Sequence, residues 1–256
     1  MITMFDWIYY DLPAEERYRL MRRTGFGGVT LWWGDAFKGA AAPARAAGLC
    51  IENVHGPYVG NSNFWLDNAE GEAITEYHLK CVADCAAFEI PTMVVHLIGD
   101  TCPPANDLGV ERIKRLAEAA ERHGVNLALE NLYAIEHLVY ALDRVDSPRI
   151  GFCYDSGHQN CHTPDADLLT RYGTRLMTLH LHDNEGVGAE GEKDQHLLPF
   201  DGTTDWAGIM RKIADSGFAG AVGLEAANFG YEDLSAEDFY RVAFERGQKL
   251  AALMGR

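Results

Sequence analysis

The sequence predicts an α/β chain folded as a single (β/α)8 barrel over residues 1–256. Two observations carry this. Eight short apolar runs alternate with eight amphipathic helical patterns, the grammar of a parallel sheet built from βα units. A length of 256 residues with 47% hydrophobic side chains suits one barrel with one core. A doubly wound open sheet would need a glycine-rich phosphate turn after a strand, and Gly25-Phe26-Gly27-Gly28 precedes one instead.

Taken in order, the runs at 2–7, 28–33, 49–55, 92–97, 125–131, 150–155, 176–182 and 221–225 read as strands, the first being the weakest. Helical spacing covers 14–23, 36–47, 69–88, 109–123, 135–143, 165–172, 205–216 and 235–253. Pro13 opens the first helix and Gly25 closes it. The longest irregular stretches, 56–68 and 183–204, follow the third and seventh strands, where barrel enzymes carry active-site loops.

Charge narrows the partners. With 38 acidic and 22 basic residues the net charge is −16, which repels nucleic-acid phosphates and anionic lipid, so neither nucleic acid nor membrane is expected as a partner. No apolar run approaches the ~20 residues of a membrane span, and the first ten residues lack the basic start of a signal peptide; a cytoplasmic location is expected. The six cysteines include no CxxC pair and are expected to be buried free thiols.

In such a barrel the residue closing each strand faces the catalytic mouth. Here those residues are His55, His96, Glu130, Asp155, His180 and Glu225, and the loop after the seventh strand adds Asp194 and His196. One histidine at a strand end is commonly a hydrogen-bonded wall residue. Several carboxylates at one mouth would repel one another unless a divalent cation offset their charge. Glu130, Asp155, His180 and Glu225 are therefore expected as metal ligands. A mixed His and carboxylate set suits Zn or Mn, with Co or Fe as alternatives, better than Mg or Ca. His55, His96, His158, Asp194 and His196 are expected to ligate metal or to hydrogen-bond substrate. His182, with one residue between it and His180, is expected to point away from the barrel centre. His78, His123 and His137 fall in helical patterns and read as surface or packing residues. Among the aromatic residues at or after strand ends, Trp7, Trp32, Phe64 and Trp65 are expected at the substrate, with Phe64-Trp65 as a lid or subunit contact.

These pieces in their order, Asn53-Val54-His55-Gly56-Pro57, Leu129-Glu130-Asn131, Asp155-Ser156-Gly157-His158, His180-Leu181-His182-Asp183 and Gly223-Leu224-Glu225, resemble the xylose-isomerase-like TIM-barrel superfamily of sugar isomerases and epimerases, inosose dehydratases and endonuclease IV relatives. The resemblance covers essentially the whole chain. It implies one divalent ion on Glu130, Asp155, His180 and Glu225, with the two glutamates as acid and base. The implied activity is metal-dependent isomerisation or epimerisation of a sugar or hydroxy-carbonyl compound by proton transfer through an enediolate. It also implies substrate contact by His158, and a homodimer or homotetramer.

Two features refine that expectation. Residues 183–192 contain neither Arg nor Lys, whereas the family's epimerases generally carry an Arg after the strand-seven histidine, so the identity of the sugar does not carry over. Most arginines map to helices, and Arg149 and Arg175 to strand starts on the opposite face; only Lys38 and Lys193 fall near the mouth, which favours a small, non-phosphorylated sugar or polyol ketone. The alternative is a multi-zinc phosphodiesterase of the endonuclease IV type, because His55, His96, His158, Asp194 and His196 match the remaining ligands of its trinuclear site. A barrel that senses a metal or sugar without turnover ranks third.

Overall fold

The computed structural model describes residues 1–191 and 193–255. Its strands are β1 (Ile2–Phe5), β2 (Gly28–Trp32), β3 (Cys50–His55), β4 (Thr92–Val95), β5 (Asn126–Glu130), β6 (Ile150–Asp155), β7 (Leu176–His180) and β8 (Val222–Leu224). All pair in parallel in the order β7-β6-β5-β4-β3-β2-β1-β8. The ends of that order meet through a parallel bridge between Leu181 and Leu224, with Leu181 N donating to Gly223 O and Glu225 N to Leu181 O. The sheet therefore closes, and the chain is a (β/α)8 barrel as the alternation requires.

Among the described residues nine α-helices surround it: α1 (Ala14–Thr24), α2 (Phe37–Ala46), α3 (Ala69–Ala87), α4 (Asp107–His123), α5 (Glu136–Leu142), α6 (Ser156–His162), α7 (Leu168–Tyr172), α8 (Trp206–Asp215) and α9 (Ala236–Leu253). Local chemistry sets their starts: Asn68, Asn106 and Ser235 accept a backbone N–H at the N-termini of α3, α4 and α9. Gly124 in the left-handed region ends α4. The sequence reading missed α6, whose polar residues show no apolar stripe; Asp155 starts it by accepting the His158 N–H.

Strand alternation places Phe5, Trp32, His55, Glu130, Asp155 and His180 in one inward layer, above Thr3, Thr30, Asn53, Ala128, Cys153 and Thr178. The lower layer is closed by small apolar contacts among Val94, Ala128 and Cys153 and by a hydrogen bond across the barrel from Asn53 to Thr178. The upper layer is the floor of the mouth. Its chemistry is thus presented by rigid strand ends over a filled barrel. All six cysteines are free; four are buried, but Cys50 and Cys102 are exposed, correcting the expectation that all were core thiols. Among the described residues no helix is long and apolar enough to cross a membrane.

Candidate active site

Sheet register brings the first donors together. Asp155 pairs with His180 across β6 and β7, and Glu130 pairs with Cys153 across β5 and β6. Glu225 follows β8 just after the bridge that closes the barrel. Ligand-type atoms of Glu130, Asp155, His180 and Glu225 all lie within 4.8 Å of one another, and all four residues are buried. His180 Nδ1 lies 2.9 Å from Glu225 Oε2 and 3.3 Å from Glu130 Oε1. Yet neither His180 nitrogen, nor Glu130 Oε1, nor Glu225 Oε2 makes a hydrogen bond. Buried polar atoms in that state are costly unless something else satisfies them.

Two further groups adjoin this quartet. On one side His55 Nε2 lies 3.1 Å from His96 Nε2, and His96 Nε2 lies 3.1 Å from Glu130 Oε2. On the other, Asp194 Oδ2 lies 3.2 Å from His158 Nε2 and 3.1 Å from His196 Nε2. His55 donates its Nδ1–H to Gly56 O and His196 its Nδ1–H to Glu225 O, so each ring turns its Nε2 towards the cluster. That is the arrangement that orients a metal-ligating imidazole. The donor set fits a divalent cation: convergent carboxylates, bare imidazole nitrogens, and no lysine or arginine among the described lining residues.

The loop between β7 and α8 carries Asp194 and His196, and Asp183 holds it. The buried Asp183 carboxylate accepts hydrogen bonds from the backbone of Asn184, Phe200 and Thr204, from the Thr204 hydroxyl and from the Trp206 indole. An antiparallel bridge joins Asp183 to Leu197. His196 has φ of 48°, a left-handed conformation that costs free energy for a non-glycine residue and persists only where neighbours enforce it. Here Ala227 N–H, donating to His196 O, and the Nδ1–H bond to Glu225 O enforce it.

Electrostatics follow from this packing. Burial works against charge on Glu130, but the neighbouring His180 and His96 hold its carboxyl well below the usual range. Asp155, also opposed by burial, is held down to about 2 by His158 and His182. Burial works against protonation of His158 and His180, and the acidic groups beside each outweigh it, raising both well above the ordinary imidazole value. His55 goes the other way: burial, then His96, push it far down. The charge pattern is that of carboxylates kept ionised by whatever cation stands nearest.

A cleft of about 600 Å³ opens over the cluster, lined by Trp7, Trp32, Tyr58, His55, His96, Glu130, His158, Asp194, His196 and Glu225, with Asp6, Ile8 and Tyr9 at its edge. All nine expected ligand residues are therefore gathered at one mouth, and Trp7 and Trp32 line it. Phe64 and Trp65 are not there. They are 0% and 2% exposed in a 3-10 turn, Asn61–Trp65, which the buried Arg112 guanidinium ties down through the carbonyls of Asn63, Phe64 and Leu66. Trp65 donates to Leu97 O and packs on His137, so this pair is core and not a lid, a subunit contact or a substrate contact. The 56–68 stretch lacks helix or strand periodicity because a buried arginine, not an apolar stripe, organises it.

His182 also departs from expectation. Residues two apart on a strand share a face. His182 accordingly faces the same side as His180, with Nε2 3.1 and 3.2 Å from the two Asp155 oxygens and its ring stacked 4.0 Å from His196. Sequence reading missed Asp6 too, whose carboxylate accepts from Arg17 and from Tyr18 at the cleft edge. It sits beside Trp7 just past the first strand, where the rule applied to the other strand ends would have found it.

The chain belongs to the xylose isomerase-like TIM barrel family, which it matches over residues 18–245. Fructoselysine 3-epimerase of Escherichia coli O157:H7 is 26% identical over 251 residues, covering 87% of this chain and 88% of that protein. The uncharacterized protein y4fM of Sinorhizobium fredii is 35% identical over 173 residues, or 62% of this chain; the alignment spans only 54% of y4fM. Among solved structures, the IOLI protein with a binding zinc atom superposes with a TM-score of 0.81 at 17% identity over 98% of both chains. The 3-keto-D-glucoside 4-epimerase YcjR from E. coli does so with a TM-score of 0.75 at 15% identity over 97% of this chain and 98% of that one.

Proposed function

We propose that the protein is a metal-dependent isomerase or epimerase of a small, non-phosphorylated sugar or related hydroxy-carbonyl compound. One observation carries the reading: Glu130 and Glu225 flank His180 with oxygens 3.3 and 2.9 Å from the same ring nitrogen, at the floor of an open cleft. Two carboxylates so placed can serve the two sides of one substrate carbon, one accepting its proton and the other returning a proton to the opposite face. Glu130, Asp155, His180 and Glu225 would hold the cation, Zn or Mn by the donor chemistry. When bound, such an ion polarises a carbonyl and its neighbouring hydroxyl, which lowers the cost of removing the carbon-bound proton.

The remaining residues bind and orient. His96 and His158 border the cleft and can hydrogen-bond substrate oxygens, while Trp7 and Trp32 offer faces for a sugar ring. His182 fixes the Asp155 carboxylate through both oxygens. The absence of lysine and arginine from the described lining supports an uncharged substrate. Sugar epimerases among the relatives, and the zinc atom in the IOLI structure, support the class and the cofactor. The test is solvent deuterium exchange into a panel of ketoses and inososes by metal-loaded protein. Exchange that disappears in Glu130→Gln and Glu225→Gln is expected; exchange that survives both substitutions removes them from the proton-transfer role.

A second reading, phosphodiester hydrolysis by a multi-zinc centre, is favoured by the His55/His96/Glu130 and His158/Asp194/His196 groups beside the quartet. Three zinc ions per chain together with cleavage of an abasic-site oligonucleotide would select it; one ion per chain selects proton transfer.

A further inference from the structure

We propose that the substrate carries an uncharged ring beyond the reacting sugar, and that Trp7, Tyr9 and Phe229 form the subsite that receives it. The proposal rests on the sugar isomerase reading above and names the substrate class more closely, as a glycoside or ring-substituted sugar in place of a free ketose.

The cleft does not end at the donor cluster. Past Trp7 it continues into a second lobe of about 620 Å³, lined by Gln195, Leu197, Phe229 and Gly230 and sharing Trp7, Asp194 and His196 with the first. Trp7 is the partition. Its ring meets His196 at 4.5 Å on the metal-donor side and Phe229 at 6.3 Å on the other, both nearly perpendicular. Either lobe alone is of a size that takes one small ligand, so two joined lobes fit a two-part molecule.

The second lobe is apolar, open and built in advance. Phe229, 47% exposed, lines this lobe and Tyr9, 60% exposed, lines the first cleft; their rings lie 4.6 Å apart and tilted by 35°, an aromatic surface that runs from one lobe to the other beside a polar centre. The surface is anchored: Tyr9 N–H donates to Asn228 Oδ1, and the Trp7 indole hydrogen-bonds the Tyr9 hydroxyl. Behind it, the Tyr231 hydroxyl accepts from Leu198 N and donates to Asp201, joining the segment after β8 to the loop that carries His196. A rigid aromatic face loses little entropy on stacking a ring.

Charge selects what stacks there. Among the described residues neither lobe is lined by lysine or arginine, and Asp194 stands at the junction, so a phosphate or carboxylate substituent has no partner. An aryl group or a second neutral sugar, each with an apolar face, matches the surface.

The test is calorimetric titration of the metal-loaded protein with phenyl, methyl and glucosyl derivatives of glucose, in both anomers. These compounds report binding without turnover. The phenyl or glucosyl compound is expected to bind about tenfold more tightly than the methyl one, and Phe229→Ala to reduce that preference to about twofold while leaving methyl glucoside affinity unchanged. Equal affinities, absence of binding by all three, or a preference that Phe229→Ala leaves intact overturns the subsite. The phenyl and glucosyl arms separate an aryl group from a second sugar. The deuterium-exchange experiment judges the isomerase reading independently: a Phe229-dependent preference without exchange removes the reaction and keeps the subsite, and exchange without the preference does the reverse.

Discussion

Two halves of the mouth place their donors by different physics. Glu130, Asp155 and His180 stand on strand ends, and Glu225 follows β8 at the closing bridge, so all four are positioned by a hydrogen-bonded register that also closes the barrel. Asp194 and His196 stand on the loop after β7, positioned by the buried Asp183 carboxylate and by a strained backbone at His196. The first half needs only the fold; the second needs a particular side chain. Chemistry that must survive breathing of the protein belongs on the first, and specificity can vary on the second.

That difference can be broken open by mutation. The largest effect is expected from Glu130→Gln or Glu225→Gln on the strand-end half. Turnover should fall by about 10²–10⁴ in kcat with the thermal midpoint nearly unchanged, measured by solvent exchange and calorimetry. Next, Trp65→Ala should destabilise by about 3–5 kcal/mol in denaturant titrations, since the indole is buried, while KM for the sugar stays put; a changed KM with intact stability would restore the lid. Asp183→Ala should cost about 3 kcal/mol by stranding the buried donors around it. In that variant amide exchange should speed up across 183–206 and not along β5, β6 and β8; uniform exchange would erase the distinction between the halves.

The smallest effect is a pH dependence away from the mouth. Burial holds the His78 imidazole neutral and lowers its pKa to about 4, against about 6.5 unfolded. The unfolded chain therefore takes up a proton that the folded chain refuses. Stability is full above pH 6.5 and falls as the pH drops towards 4, by about 2 kcal/mol between pH 7 and pH 5 from this group. His78→Gln should remove that share of the slope in unfolding measurements; an unchanged slope would assign the acid sensitivity elsewhere.

The sequence was most legible where periodicity and function coincide. The strand-end residues announced themselves because an apolar run that stops at Glu130 or Asp155 gives both the element and its orientation. Asp194 and His196 could be named from their place in the loop after the seventh strand, but the means of holding them could not, because Asp183 reads as one more polar residue until its five donors are seen in space. Helix α6 escaped for want of an apolar stripe, and Phe64 and Trp65 misled because a loop with large aromatics looks like a lid when its partner, Arg112, lies more than forty residues away in sequence. Long-range polar anchoring has no local signature.

The central claim is that Glu130, Asp155, His180 and Glu225 together hold a divalent cation. Elemental analysis of protein purified without added metal or chelator, wild type beside His180→Ala, tests it most directly. The account predicts at least one tightly held Zn or Mn per wild-type chain, reduced in the folded His180→Ala variant. Wild-type protein that holds no stoichiometric metal even after loading and dialysis, or a His180→Ala variant that retains the full complement, would contradict it.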